Sequence, residues 1–492
     1  MANQIKYCAF PDAIILDKPE GKPVQHLLWG DWLRLKGGKQ GDWFEVDARG
    51  EDGWLHKESI QDNRLLEIVF VDIGQGDGCI VSTPEDKHIV IDACEGDNMF
   101  RFLRWRFGKF SKKFKFESFI ISHPDVDHYG GFVELFEEPN IEIGVVYHSG
   151  IIERTNDVRG PFGRTQKFNR KSYLAEIIRD KSSLDSLLTK KAIGVKKYPK
   201  MLRNALDSGR VGNFVALDSD TGYLPGYEAQ KDITIEILGP VPTNLGGEKK
   251  GLKTFGSAGK TKNGHSVILK LTYHNVSILL GGDLNIPAEY HLLTHYTGIN
   301  VPPKDADEEE LLVTKARRTF QVDFAKACHH GSADFSEIFL KAVNARATVI
   351  SSGDDEAHAH PRADTLGTLG KHARGRRPLI FSTELARSAK ETIKRPEILR
   401  SQLREAAKKL HDVQNGSNEE NIKKAEKKYE ELLSKVERSI AVYGAINMRT
   451  DGNQVIFAQK IEAPSDEKKK KWDIYKFLRN ARTGELEYDS IH

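Results

Sequence analysis

Cysteine is scarce in this chain. Cys8, Cys79, Cys94 and Cys328 are its four thiols among 492 residues, scattered without paired spacing, so neither a disulfide framework nor a cysteine zinc cluster is implied. Long apolar runs are missing as well: no segment reaches the roughly 18 to 20 residues that a bilayer span requires. The opening MANQIKYCAF lacks the charged-then-apolar pattern of a secretion leader. Together these absences set the expectation of a cytoplasmic protein with no membrane partner. Charge of one sign is lacking too, and a net +3 is too small to argue for any class of partner. The length leaves room for two or three domains with a sizeable core.

What is present is a dense set of metal-capable side chains at the ends of apolar runs. His123-Pro124-Asp125-Val126-Asp127-His128-Tyr129-Gly130-Gly131 follows the strand-like run Phe119-Ile120-Ile121-Ser122. His123 and Asp125 can reach one ion while Asp127 and His128 turn toward a second. Mixed imidazole and carboxylate donors suit zinc, manganese or iron and not calcium, which takes oxygen ligands. The pattern recurs. Leu65 to Ile73 ends in Gly74-Gln75-Gly76-Asp77-Gly78, and Ile89-Val90-Ile91 ends on Asp92. Asn263-Gly264-His265-Ser266 precedes the run Val267 to Leu271, and Val276 to Leu280 ends in Gly281-Gly282-Asp283. His329-His330-Gly331-Ser332 and His358-Ala359-His360-Pro361 come later. Short apolar runs broken by glycine-rich turns read as buried strands, and loops at one end of a sheet are where sites are commonly built.

In this order the motifs resemble the metallo-β-lactamase superfamily, and within it the soluble hydrolase domain of ComEC-type DNA-uptake proteins, over roughly residues 65–385. That resemblance implies an α/β fold, an αββα sandwich, with a site for two divalent ions, zinc or manganese. His123, Asp125 and His265 would hold one ion. Asp127, His128 and one of His329 or His330 would hold the other, with Asp283 between them. Asp92 and Asp77 would orient the ligands from behind. Asp127 and Asp283 would be catalytic through the metals, and His360 is a candidate proton donor or phosphate contact. Ser332 could offer its hydroxyl to a phosphate. The chain departs from the family pattern in three places: Asp125 replaces the commoner second histidine, Cys94 replaces a glycine, and His265 stands where the wider superfamily carries its third histidine ligand.

Charge is uneven along the chain. From Ile151 to Arg210 there are fifteen Lys and Arg against six Asp and Glu. This part of a basic insertion (151–230) reads as a polar helical segment, roughly Lys171 to Leu206, laid over the catalytic face. Lys196, Lys197 and Arg203 are its candidate substrate contacts, for nucleic acid. A second basic stretch, Arg101 to Lys115, interleaves Phe102, Trp105, Phe107, Phe110 and Phe114, which reads either as a surface that tracks a phosphate backbone and stacks bases or as a helix that packs its aromatics on the sheet while its cations reach water. Residues 1–62 read as a small β-barrel resembling the bacterial Src-homology-3-like domains, through Gly53-Trp54-Leu55. The hydrolase domain would span 64–394. Residues 395–438 read as a charged helical hairpin with solvent as its default surroundings, and 439–492 as strands returning to the hydrolase domain, plus a tail. Barrel or hairpin could restrain activity or dock a protein partner; the sequence does not give an oligomeric state. The functional expectation is a metal-dependent hydrolase cleaving phosphodiester bonds in DNA or RNA. A small-substrate phosphodiesterase, or a metal-stabilised binding component of a multi-protein system such as antiviral defence, are the other readings.

Overall fold

A computed structural model describes residues 4–490 except 75, 156, 190–195, 354–358, 384–395, 415–418, 441–443, 462–463 and 467. Gln75, His358 and the expected boundary at 394 therefore lie outside the described residues. Seven short strands open the chain: β1 (Gln4–Cys8), β2 (Asp12–Leu16), β3 (Pro23–Leu28), β4 (Trp32–Gln40), β5 (Trp43–Ala48), β6 (Glu51–His56) and β7 (Ile60–Gln61). They form one sheet of their own in the order β3-β2-β6-β5-β4-β1-β7. Alternate residues such as Leu33 and Leu35 turn inward onto a small core with Cys8, Ile15, Val46 and Leu55.

The next strands are apolar on both faces because both faces are covered. A ten-stranded sheet contains β8 (Leu66–Phe70), β9 (Cys79–Ser82), β10 (His88–Ile91), β11 (Phe114–Ile121), β12 (Ile141–His148) and β15 (Val211–Ala216). It is completed by β24 (Ile446–Thr450), β25 (Val455–Lys460), β26 (Trp472–Arg479) and β27 (Leu486–Tyr488). Its order is β15-β12-β11-β10-β9-β8-β24-β25-β26-β27, parallel from β10 to β15. A six-stranded sheet contains β16 (Ile233–Gly239), β19 (Ile268–Tyr273), β20 (Val276–Gly281), β21 (Phe324–Lys326), β22 (Ala347–Ile350) and β23 (Leu379–Ser382), in that order.

The two sheets share a core. Ile68, Phe70, Val81 and Ile120 from the first meet Leu269, Ile278, Phe324 and Val349 from the second. The outer face of the first sheet is covered by α1 (Asn98–Arg106), α3 (Phe132–Glu137), α4 (Lys181–Leu188) and α5 (Lys197–Asp207). The outer face of the second packs on α7 (Ile286–Thr297), α8 (Ala306–Phe320) and α9 (Glu337–Val343). No helix among the described residues is long and apolar enough to cross a membrane.

The basic segment does not lie where its composition suggested. Lys171–Leu174 is a strand, β14, paired with β13 (Thr165–Phe168). The helices α4 and α5 that follow are amphipathic: Leu184, Leu187, Leu188, Tyr198, Met201 and Leu202 join the core on the outer face of the ten-stranded sheet. Burying those six side chains outweighs the helices' many charges, which need only reach water. β15 then pairs in parallel with β12. In the second basic stretch Phe102 and Phe110 are buried in that same core, Trp105, Phe107 and Phe114 pack against it, and Arg106 pairs with Glu67.

Two further helices, α11 (Pro396–Gln414) and α12 (Glu419–Ile440), pack on each other through Leu403, Ala406 and Leu432. Lys109 Nζ, just beyond α1, lies 3.4 Å from Glu430 Oε2, so the pair leans on the helical layer over the ten-stranded sheet instead of standing free. The amino-terminal module is seated on the sheet through Leu28, Trp29, Leu65, Ile456, Ala458 and Trp472. Beside that contact, Arg449 of β24 donates to Asp31 Oδ1 at 2.9 Å and Glu67 Oε1 at 3.2 Å.

Candidate metal centre

The carboxyl ends of β10, β11, β20, β21 and β22 converge, and each delivers a residue of one cluster. Asp92 follows β10, His123 to His128 follow β11, Asp283 follows β20, His329 and His330 follow β21, and Ser351 follows β22. Short α2 (Val126–Tyr129) turns the chain after His123. The glycine-rich loop after β8 presses against it: a Cβ on Gly76, whose φ is +108°, would stand 1.9 Å from the Asp127 carbonyl oxygen, so only glycine fits there.

Imidazole nitrogens surround a single carboxylate oxygen. The distances to Asp283 Oδ2 are 3.2 Å from His128 Nε2, 3.4 Å from His330 Nε2, and 3.9 Å from the Nε2 atoms of both His123 and His329. Asp127 Oδ2 lies 3.5 Å from His330 Nε2 and 3.9 Å from His128 Nε2.

The opposite ring nitrogens are tied down. His128 Nδ1 lies 2.8 Å from Asp92 Oδ2, which also accepts from the Ser122 hydroxyl. His330 Nδ1 donates to the Ser351 carbonyl at 3.1 Å, and a carbonyl can only accept, so Nδ1 carries the proton. His123 Nδ1 lies 3.0 Å from Ser122 Oγ and 3.3 Å from Ser266 Oγ. With a proton on each Nδ1, the Nε2 lone pairs face inward, the tautomer a metal ligand requires.

Among the described residues no hydrogen bond uses those lone pairs. His123 Nε2, His128 Nε2, His330 Nε2 and Asp283 Oδ1 are buried without a hydrogen-bond partner among the described residues. Such orphans are costly unless an ion takes them up. Protonation gives the same picture. Burial disfavours a charged His330, yet Asp283 and Asp127 outweigh it and push the ring up to about 9. His128 is raised well above its ordinary value, against its burial, by Asp283, Asp92 and Asp127. Asp283 is held well below the carboxylate range, burial notwithstanding, by His128, His330 and His329. A field that holds protons on imidazoles so firmly is one that a divalent cation can satisfy by displacing them. His128, Asp283 and His330 therefore fit a divalent ion, on donor type and on their unpartnered inward atoms, and Asp127, whose Oδ2 lies beside both imidazoles, adds a carboxylate to the set.

Asp77 also lies close, and with His128, Asp283 and His330 it offers an atom within 4.8 Å of the others. It approaches from the outer side, however, 3.2 Å from His330 Nδ1, and is in ion-pair contact with buried Lys326. An orienting place, behind His330, suits it better than a ligand's. Of the two adjacent histidines left open by the sequence, His330 is buried and anchored. His329 is a quarter exposed, with Nδ1 unpartnered among the described residues. Both have left-handed backbones, at φ 50° and 52°, a strain that the surrounding sheet ends must sustain.

One expected ligand is elsewhere. His265 is buried with Nε2 2.7 Å from the Lys253 carbonyl and its ring 4.8 Å from Phe255, and burial pushes it down to about 3. His265 sits in the turn that ends the helix Ala258–Gly264, and the residue that faces His123 is the next one, Ser266, whose hydroxyl also accepts from the Asp283 amide at 2.9 Å. His360 lies at the rim, its ring 5.9 Å from His329 and 6.3 Å from His330. Ser332 turns its hydroxyl to the Asp334 amide at 3.2 Å, closing its own turn. Arg203 is bound to Asp185 and Asp207 on the outer helices, and Lys196 and Lys197 are exposed where α5 begins. None of these three is brought to the cluster.

The sequence reading missed Ser122, Ser266, Lys326 and Lys262. Lys326 left a signal: a lone lysine in the apolar run Phe324-Ala325-Lys326-Ala327 needs a buried counter-charge.

No family model matches the sequence, and no curated protein matches it. Among solved structures, one that matches is Tm1679, described as a metal-dependent hydrolase of the β-lactamase superfamily. The identity is 13% and the TM-score 0.31, over 64% of this chain and 95% of that one. A likeness at that level carries no argument, and the functional reading rests on the residues themselves.

Proposed function

We propose that this chain is a metal-dependent hydrolase of metallo-β-lactamase type that cleaves phosphodiester bonds in nucleic acid. The observation that supports it most is the ring of anchored imidazoles whose Nε2 atoms converge on Asp283. Asp127, His128, Asp283 and His330 would hold a divalent ion, zinc or manganese. The chemistry such an ion supplies when bound is a hydroxide available near neutral pH and a clamp on oxygens that gain negative charge. The chain's own groups do the rest. Asp92, Ser351 and Asp77 hold the rings, and His360 stands at the rim within reach of a substrate's leaving group.

An anionic substrate is supported by the β13–β14 hairpin. Arg164, Lys167, Arg170 and Lys171 are exposed there, and no ion pair to any of them occurs among the described residues. β14 pairs with β18 (Lys250–Lys253), which leads into α6 (Ala258–Gly264) beside Asp125. Four unpartnered cations on a strand pair flanking the centre suit a phosphate backbone. The test is hydrolysis of single- and double-stranded DNA and RNA, and of a small chromogenic phosphodiester, with manganese, zinc, magnesium or chelator. Metal-dependent cleavage of nucleic acid that His128→Ala abolishes is the expected result. Turnover of the chromogenic ester alone would leave a small-substrate phosphodiesterase, and cleavage unaffected by chelator and by His128→Ala would overturn the metal-hydrolase reading.

A further inference from the structure

Two lysines are paired with carboxylates around the cluster. Lys262 meets Asp125 Oδ1 at the mouth, where Asp125 Oδ2 lies 3.5 Å from His123 Nε2. Lys326 meets Asp77 from beneath. Its place follows from strand alternation: Phe324 of β21 turns into the core between the two sheets and Ala325 turns outward, so Lys326 turns inward again. It is buried there beside a small cavity that Phe70, Ile91, Val267 and Leu280 line together with Asp77 and Asp92. Among the described residues Asp77 is the one carboxylate paired with it.

Asp77 is itself fixed at three points. Its amide donates to the Asp127 carbonyl at 3.1 Å, its carbonyl accepts from the Cys94 amide at 2.9 Å, and its Oδ2 is against Lys326. The other oxygen, Oδ1, lies 3.2 Å from His330 Nδ1, and Oδ2 lies 3.8 Å from His128 Nδ1. The carboxylate thus stands behind both anchored rings, on the side away from Asp283.

We propose that Lys326 is a positioning residue of the metal centre: its ammonium holds the Asp77 carboxylate behind His330 and His128, and so keeps their Nε2 atoms turned inward. This rests on the metal-hydrolase reading above. Two considerations carry it. Without a cation against it, Asp77 would be one more unpaired carboxylate beside buried Asp92 and Asp283, and repulsion in a poorly screened interior would turn it away from the rings. Lys326 offsets that charge from below, where it touches neither imidazole. Filling the gap between the sheets gives no reason for a lysine, since leucine or methionine would pack there without the cost of burying a charge. What lysine adds is an ammonium in contact with Asp77.

The test is metal affinity, read by competition with a chromogenic chelator, together with the absorption bands of the cobalt-loaded protein, which report on ligand geometry. Lys326→Met keeps most of the stem and removes the charge. It should weaken metal binding ~10-fold or more and alter the cobalt bands, and Asp77→Asn should do the same. In an Asp77→Asn background the further change Lys326→Met should cost no more than roughly 3-fold, because the group it acts through is already neutral. Equal losses in both backgrounds would overturn the proposal and leave the hydrolase reading intact. So would a Lys326→Met protein that melts earlier yet keeps native affinity and native cobalt bands, the mark of a merely structural pair. Native affinity in Asp77→Asn would overturn it too, and that result decides even if Lys326→Met fails to fold. No metal in the native chain would defeat both readings.

Discussion

Asp92 Oδ2 lies 2.8 Å from Nδ1 of His128, across adjacent parallel strands. The carboxylate fixes the ring's tautomer and aims Nε2 at Asp283. Asp92→Asn keeps the shape and loses the charge, so metal affinity should fall by ~10–100-fold, measured by competition with a chromogenic chelator. Unchanged affinity would mean that Asp92 only supports the fold.

His265 invites the opposite expectation. Because its ring is committed to Lys253 and Phe255, His265→Gln should retain its metal and keep turnover within roughly 3-fold, while melting earlier through weakened packing. Loss of metal from this variant would restore it to the ligand set.

The seat of the amino-terminal module should be acid-sensitive. Glu67 is buried, which alone would raise its pKa, but Arg106 and Arg449 bring it down to about 2 from an ordinary 4.5. Its contribution to stability is therefore complete above about pH 4.5 and is lost as pH falls toward 2. Arg449→Met should cost about 3 kcal/mol or more at neutral pH and give a shallower acid branch in a plot of melting temperature against pH. Parallel curves for the two proteins would show that Arg449 does not couple to this carboxylate.

Glu289 behaves the other way. It is buried in α7, and desolvation raises it from an ordinary 4.5 to about 8 despite a hydrogen bond from the Ser336 amide. Between those values the unfolded chain ionises while the folded one stays protonated, so the native protein loses stability as pH rises from 4.5 to 8. Glu289→Gln preserves the acceptor and removes the titration. Its melting temperature should match the native one near pH 4.5 and exceed it by ~2–4 °C at pH 8; a constant difference would contradict the assignment.

Replacing Arg164, Lys167, Arg170 and Lys171 together by serine tests the β13–β14 hairpin as the anion-binding flank. KM for a polynucleotide should rise ~10-fold or more and the salt dependence should flatten, by roughly one unit of slope for each phosphate no longer neutralised. Turnover of a small phosphodiester should hardly change. Equal loss on both substrates would move the hairpin from substrate capture to support of the site.

Much of the cluster was legible because polar side chains at strand ends announce themselves: a buried apolar run has no packing reason to stop at Asp92, His123 or Asp283. Direction was harder to read. Whether His265 or Ser266 faces the cluster depends on where the helix Ala258–Gly264 ends and how its last turn unwinds, which no composition reveals. Residues 171–206 looked like a polar lid since charged residues outnumber the leucines, tyrosine and methionine that fix where two amphipathic helices go. Choosing between His329 and His330 needed the Ser351 carbonyl, more than twenty positions away in sequence.

The place of β24 bears on how such a molecule is made. Ile446 pairs with Phe70 and Thr450 with Leu66, so a strand synthesised late inserts beside one synthesised early. Until it emerges from the ribosome, β8 offers an open, apolar edge. Chains released before residue 446 would therefore expose that edge to aggregation and to cellular proteases. Completion of the strand order is thereby linked to survival of the chain, and prematurely terminated products would be removed and not left as partly folded fragments.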